Sequence, residues 1–234
     1  MIYQLATVGL APLLIYQGKK VRRETPRLPE PLGARCGKTG TGEPLRLLIA
    51  GDSAAAGVGV EAQDQALAGR LCRQLAERYR LSWKLVAQTG YTAADVVTRL
   101  QAEPEQRFDV ALLSVGVNDV TGRTSIKAWN QHLWGLSDLL RQRFSVETIL
   151  FTSVPPMHLF PALPQPLRWY LGYRADMLDQ SMRNLFRDQP DIKVIESFSE
   201  PNPSFIAADG FHPGAAGYEE WATAVFGALS AETR

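Results

Sequence analysis

From Leu45 onward, short apolar runs alternate with longer amphipathic stretches, and this alternation constrains the fold more than any other feature of the 234-residue chain. Runs of strand length occur at Leu45–Ala50, Trp83–Ala87, Val110–Val115, Thr148–Ser153 and Ile192–Glu196. Helical periodicity covers Ala62–Arg80, Thr92–Gln101, Ser125–Phe144, Pro166–Arg187 and Ala215–Ala231. Strands that alternate with helices of this length predict a parallel sheet with helices on both faces. Crossovers of one hand then bring the carboxyl ends of the strands to one edge, where open α/β sheets bind ligands. A chain of this size, 45% hydrophobic and 21% charged, suits one well-buried domain, expected over residues 45–234. Residues 1–44 read as an apolar and basic segment followed by a connecting arm rich in Pro, Gly, Arg and Glu.

The formal net charge of +1 supplies no global field for nucleic acid or another acidic polymer. Gly33-Ala-Arg-Cys-Gly37-Lys38-Thr39 imitates a phosphate-binding loop, but its first glycine is one position too close and no apolar strand precedes it. Cys36 and Cys72 lack metal-type spacing, and nothing in that spacing favours a disulfide. Near the N-terminus, the apolar run Leu5–Tyr16 is interrupted by Pro12 and followed by Lys19, Lys20, Arg22 and Arg23. A secretory signal carries its positive charge before the apolar core, and a bilayer span needs about 20 apolar residues. The run is therefore expected to form an amphipathic helix that packs on the domain or lies against a membrane face, with residues 1–23 as the contact. A membrane anchor or uncleaved signal is the alternative. A basic flank of this kind keeps the following domain cytoplasmic if the segment inserts. Secretion stays open.

Four predicted strands end in small or polar residues: Gly51-Asp52-Ser53, Gln88-Thr-Gly90, Gly116-Val-Asn118-Asp119 and Ser153-Val-Pro155-Pro156. Turn chemistry accounts for one or two such ends. Four at one edge, with a serine among them, read as a site. Gly51-Asp52-Ser53 alone could cap a helix, but Ala54-Ala-Ala-Gly57-Val-Gly59 leaves room around the hydroxyl. Of the three histidines, His132 falls within an amphipathic helix and His158 follows a strand end. Only His212 has an aspartate, Asp209, three residues upstream and Pro-Gly directly after it. A carboxylate there can fix the imidazole tautomer, and the imidazole can deprotonate a serine brought from elsewhere in the chain. Acyl transfer also needs donors aimed at a developing oxyanion. The Asn118 amide and the N–H groups of Gly90 and Ser53 meet that need, while Asp119 is expected to tie down its loop.

These four blocks together resemble the SGNH hydrolase family, also called the GDSL esterase/lipase family, over about 180 residues from Leu45 onward. The first block departs from the family name, with Ala54 where leucine is usual. The resemblance implies a flavodoxin-like three-layer α/β/α sandwich of about five parallel strands. It also implies Ser53 as nucleophile, His212 as base then acid, Asp209 as its orienting carboxylate, and Ser53, Gly90 and Asn118 as the oxyanion hole. No metal or other cofactor is expected. The implied activity is that of a serine esterase cleaving a small-molecule or lipid carboxylic ester (a lipophilic acyl ester, a lysophospholipid or a thioester among them) through an acyl-enzyme on Ser53, with a carbohydrate O-acetylesterase, an acyltransferase or a non-catalytic membrane-associated module as alternatives. The apolar, aromatic stretch Met157–Tyr173 could wall an acyl pocket through His158, Leu159 and Phe160, act as a partial lid, or simply pack into the core. With the apolar-basic N-terminus, it tilts the expectation slightly toward lipophilic acyl groups.

Overall fold

A computed structural model describes residues 2–197 and 202–230, with side chains from residue 8 onward. The sheet has six strands: β1 (Cys36–Thr39), β2 (Glu43–Gly51), β3 (Tyr79–Ala87), β4 (Val110–Ser114), β5 (Thr148–Thr152) and β6 (Ile192–Ile195). Their spatial order is β1-β3-β2-β4-β5-β6, parallel throughout except for β1. Period-two alternation places successive side chains on opposite faces. Along β2, Leu47 and Ile49 face one helical layer and Leu48 and Ala50 the other, each at most 1% exposed.

The layer on the Leu47/Ile49 face contains α3 (Leu67–Ala76) and α8 (Ala215–Ser230). Opposite it pack α4 (Ala93–Gln101), α6 (Ile126–Phe144) and α7 (Leu167–Phe186), with the N-terminal helix α1 (Ile2–Glu24) against α7. This is the expected three-layer sandwich. Two further short helices, α2 (Ser53–Ala56) and α5 (Val117–Gly122), follow β2 and β4 directly.

The sixth strand lies in the stretch that read as a connecting arm. Cys36–Thr39 pairs antiparallel with Lys84–Leu81 and covers an edge of β3 that would otherwise carry unpaired backbone groups. Pairing with β2, in which Glu43 and Pro44 face Tyr79 and Arg80, shortens the helix expected over Ala62–Arg80. Tyr79–Ser82 is held by β2 on one side, and Leu81 and Ser82 also pair with β1 on the other, so hydrogen bonding to the sheet overrides helical periodicity there. At the helix's other end, Gln63 is buried and donates through Nε2 to Ala56 O at 2.7 Å, within a series of turns. The last predicted helical residue, Ala231, lies outside the described residues.

The face of α1 bearing Leu10, Leu14 and Val21 packs against the core. Gln17 adds a bond from Nε2 to Gln165 O at 2.7 Å and accepts from Leu167 N at 3.1 Å. Val8, Leu13, Ile15 and Tyr16 remain exposed on the same helix. No described helix is long and apolar enough to cross a membrane. Both thiols are free, Cys36 exposed and Cys72 buried, and burial pushes the Cys72 thiol up to about 12.

Candidate active site

Register in the centre of the sheet places the site. Gly51, the last residue of β2, lies level with Ala87 of β3 and Ser114 of β4, so the loops after three adjacent strands leave the sheet together. Only glycine fits at position 51, where a Cβ would stand 2.1 Å from Ser114 O. The next residue, Asp52, caps α2: its Oδ1 accepts from Ala54 N at 3.1 Å, while its own N–H donates to Ser114 O at 3.0 Å. Ser53 is thereby held in the first helical position, where a backbone N–H has no acceptor within the helix. Asp52 is 2% exposed. Burial pushes its carboxyl up to about 6, against the opposing pull of the Ala54 amide and of His212.

The distant histidine arrives on the turn before α8. Asp209 Oδ1 accepts from the backbone N–H groups of Phe211 (2.9 Å) and His212 (3.0 Å). Its Oδ2 lies 2.6 Å from His212 Nδ1, and His212 Nε2 lies 2.9 Å from Ser53 Oγ. Burial raises the Asp209 carboxyl, but its bonds from the imidazole and the two amides outweigh this and hold it below the ordinary carboxylate range. An ionised Asp209 favours the tautomer protonated at Nδ1, which leaves Nε2 as an acceptor for the serine proton. Tyr218 of α8 donates its hydroxyl to Val58 O at 2.7 Å and so fastens the histidine-bearing element to the nucleophile loop.

Gly90 and Asn118 follow β3 and β4, on either side of β2. Gly90 has φ +92°, and nothing stands within 4 Å of where its Cβ would be. Asn118 Nδ2 donates to Tyr91 O at 2.9 Å, which joins the two loops and leaves the amide's second N–H for another acceptor. Asp119 ties down its surroundings: fully buried, it accepts from Ala93 N and Thr124 Oγ1, each at 3.0 Å. Burial raises its carboxyl.

Beside Ser53 and His212 opens a cavity with room for water-sized spheres over about 50 Å³. Its apolar wall includes Val115, Val117, Pro155, Phe160, Ile206 and Phe211. Phe160 and Phe211 meet edge to face, with ring centroids 4.9 Å apart. Of the three residues expected to form an acyl pocket, only Phe160 lines this cavity. His158 and Leu159 stand exposed on the one-turn helix Met157–Leu159, and an added Cβ on Gly172 would come within 2.6 Å of His158 Cβ. Gly90 and Asn118 are likewise absent from the cavity lining. The wall residues Val117, Ile206 and Phe211 went unread in the sequence; Phe211, inside the Asp209–His212 block, was the most accessible of them. No group of three or more His, Cys, Asp and Glu side chains among the described residues converges as a metal site.

A GDSL-like esterase of Mycobacterium tuberculosis is 28% identical over 199 residues, covering 79% of this chain and 62% of the relative. The chain thus spans less than two thirds of that relative's length. Among solved structures, a lipase/acylhydrolase from Enterococcus faecalis superposes with a TM-score of 0.62 at 20% identity, covering 80% of this chain and 96% of that one. The acetylxylan esterase Axe2 of Geobacillus stearothermophilus, as a catalytic mutant, gives 0.60 at 16% identity, covering 80% and 94%. At these identities the structures share the fold. The family model of the GDSL-like lipases and acylhydrolases matches residues 49–220, and the chain belongs to that family.

Proposed function

We propose that the protein is a carboxylic-ester hydrolase that works through an acyl-enzyme on Ser53 and prefers short acyl groups. The hydrogen-bonded chain Ser53–His212–Asp209 carries this reading. His212 Nε2 takes the Ser53 proton as Oγ attacks the ester carbonyl, and Asp209 stabilises the imidazolium that forms. The N–H groups of Ser53 and Gly90 and the free Asn118 N–H receive the oxyanion. His212 then protonates the departing alcohol. In the second half, water attacks the acyl carbonyl with His212 as base, and Ser53 regains its proton as the acid leaves.

The cavity beside Ser53 supports the preference for short chains. The rings of Phe160 and Phe211 stand in its wall beside Ser53 and His212, and an acyl chain that outgrows the cavity must displace them. Of the stretch that tilts the expectation toward lipophilic groups, Phe160 lines the cavity while His158 and Leu159 are exposed. In a p-nitrophenyl ester series, kcat/KM should fall by about tenfold or more between butyrate and octanoate, since forced overpacking costs ~1–3 kcal/mol. A rate that climbs through octanoate and beyond would refute the preference. Adding an alcohol or glycan acceptor separates hydrolysis from transfer, because transfer yields a new ester.

The outer surface of α1 supports a peripheral membrane contact. Val8, Ile15 and Tyr16 are 76%, 51% and 62% exposed, and Lys19, Lys20, Arg22 and Arg23 follow them. An apolar face with a basic flank suits an anionic bilayer surface. The protein should sediment with phosphatidylcholine vesicles only when they contain phosphatidylglycerol, and Ile15→Glu should weaken this. Equal recovery in the supernatant with both vesicle types counts against the contact.

A further inference from the structure

The arm between α1 and β2 lies before the first residue matched by the family model, residue 49, yet it holds the loop that carries Gly90. Residues 88–91 form a tight turn in which Tyr91 N donates to Gln88 O at 3.3 Å. Gly90, its third residue, has φ +92°, the mark of a type II turn. Types I and II differ by a flip of the central peptide, here the one joining Thr89 to Gly90. Whatever holds the turn type therefore decides where the Gly90 N–H points.

Glu30 grips the second residue of that turn. Its Oε1 accepts from Thr89 N at 2.7 Å and from Thr89 Oγ1 at 2.9 Å. Its Oε2 accepts from Arg35 Nη1 at 2.8 Å. Arg35 in turn donates through Nη2 to Ala87 O, at the end of β3, and its carbonyl accepts from Leu85 N at 2.7 Å. The arm is also anchored on the nucleophile side: Pro31 packs at Gly57, and Leu32 O accepts from Gln63 N at 2.9 Å. Burial raises the Glu30 carboxyl, but the bonds from Thr89 and Arg35 outweigh it and keep the group below its ordinary range, hence ionised.

We propose that Glu30 is a positioning residue for ester hydrolysis: by holding Thr89 it keeps the Gly90 N–H directed at the oxyanion. The role rests on the reading of Ser53 as nucleophile. It acts on a charge that develops only in the transition state, so it belongs in kcat and not in KM.

The test is steady-state hydrolysis of p-nitrophenyl acetate by the full chain, with circular dichroism as a check on folding. Glu30→Ala should lower kcat by about 10–100-fold while KM stays within about twofold, the size expected for a misplaced oxyanion donor. Glu30→Gln keeps an oxygen for the Thr89 N–H and should restore most of the rate. The proposal is overturned by a folded Glu30→Ala with unchanged kcat, by a change confined to KM, or by a Glu30→Gln as slow as Glu30→Ala. Should Glu30→Ala not fold, Glu30→Asp decides: it keeps the charge but is one methylene shorter, and an unchanged kcat overturns the role equally. A Ser53→Ala control separates the two claims. Turnover by that variant sinks the hydrolase reading, whereas an inactive Ser53→Ala beside an unaltered Glu30→Ala sinks only the positioning role.

Discussion

Ser53→Ala is expected to reduce hydrolysis of p-nitrophenyl butyrate by about 10⁴–10⁶-fold while leaving the protein folded. The Ser53 hydroxyl is the only group placed within hydrogen-bond reach of His212 Nε2, among the bonds of the described residues. Removing it deletes the atom that would carry the acyl group. The structural cost is small: one hydrogen bond, worth about 0.5–1.5 kcal/mol. The α2 cap on Asp52 and the close approach of Gly51 to Ser114 do not involve the side chain. A fluorophosphonate probe that captures activated serines should label the parent protein and not the variant. Retained turnover at the parent rate would remove Ser53 from the mechanism.

Asp209→Asn should lower kcat by about 10⁴-fold at neutral pH, again in a folded protein. The reason lies in how Asp209 divides its oxygens. Oδ1 accepts from two backbone amides and Oδ2 faces His212 Nδ1. An asparagine keeps its carbonyl oxygen on the amides and turns its NH₂ toward Nδ1. That ring nitrogen must then accept, so the proton moves to Nε2 and points at Ser53, where an acceptor is needed. The variant also lacks the charge that stabilises the imidazolium. An Asp209→Asn protein within tenfold of the parent kcat would exclude this role for the carboxylate. Stability carries a matching sign. Because the folded carboxyl is held below its ordinary value near 3.9, its contribution is fully present above that pH and is lost as pH falls through the lower folded value. Asp209→Asn should lack this one component of acid sensitivity.

How much of this was legible depended on whether the signal was local. The five parallel strands could be read because each is a short apolar run, and a strand buried on both faces needs such a run. Asp209 and His212 could be read because three residues separate them, so one turn makes their contact. Ser53 was legible as the residue that follows a strand end. β1 was not, since Cys-Gly-Lys-Thr has no apolar pattern and becomes a strand only because the edge of β3 offers it partners. The start of β3 was hidden for a related reason: Tyr79 and Arg80 continue a helical period, but β2 claims their backbone. The lining of the cavity was not legible because exposure is set by packing. His158 and Phe160 are two residues apart, yet one stands in solvent and the other lines the cavity.

The sequence by itself determined the layered α/β architecture and the strand ends that carry the polar residues, and it singled out Ser53, Asp209, His212, Gly90 and Asn118 as candidates for the site. These follow from periodicity and short-range spacing, which the backbone geometry of strands, helices and turns translates directly into position. Only the tertiary structure decided that His212 Nε2 meets Ser53 Oγ at 2.9 Å across 159 residues of chain. It alone decided that the cavity is walled by Phe160 and Phe211, and that Glu30 in a Pro-rich arm reaches Thr89. Contacts of that kind depend on register between strands and on which surfaces pack together, and both are properties of the whole chain.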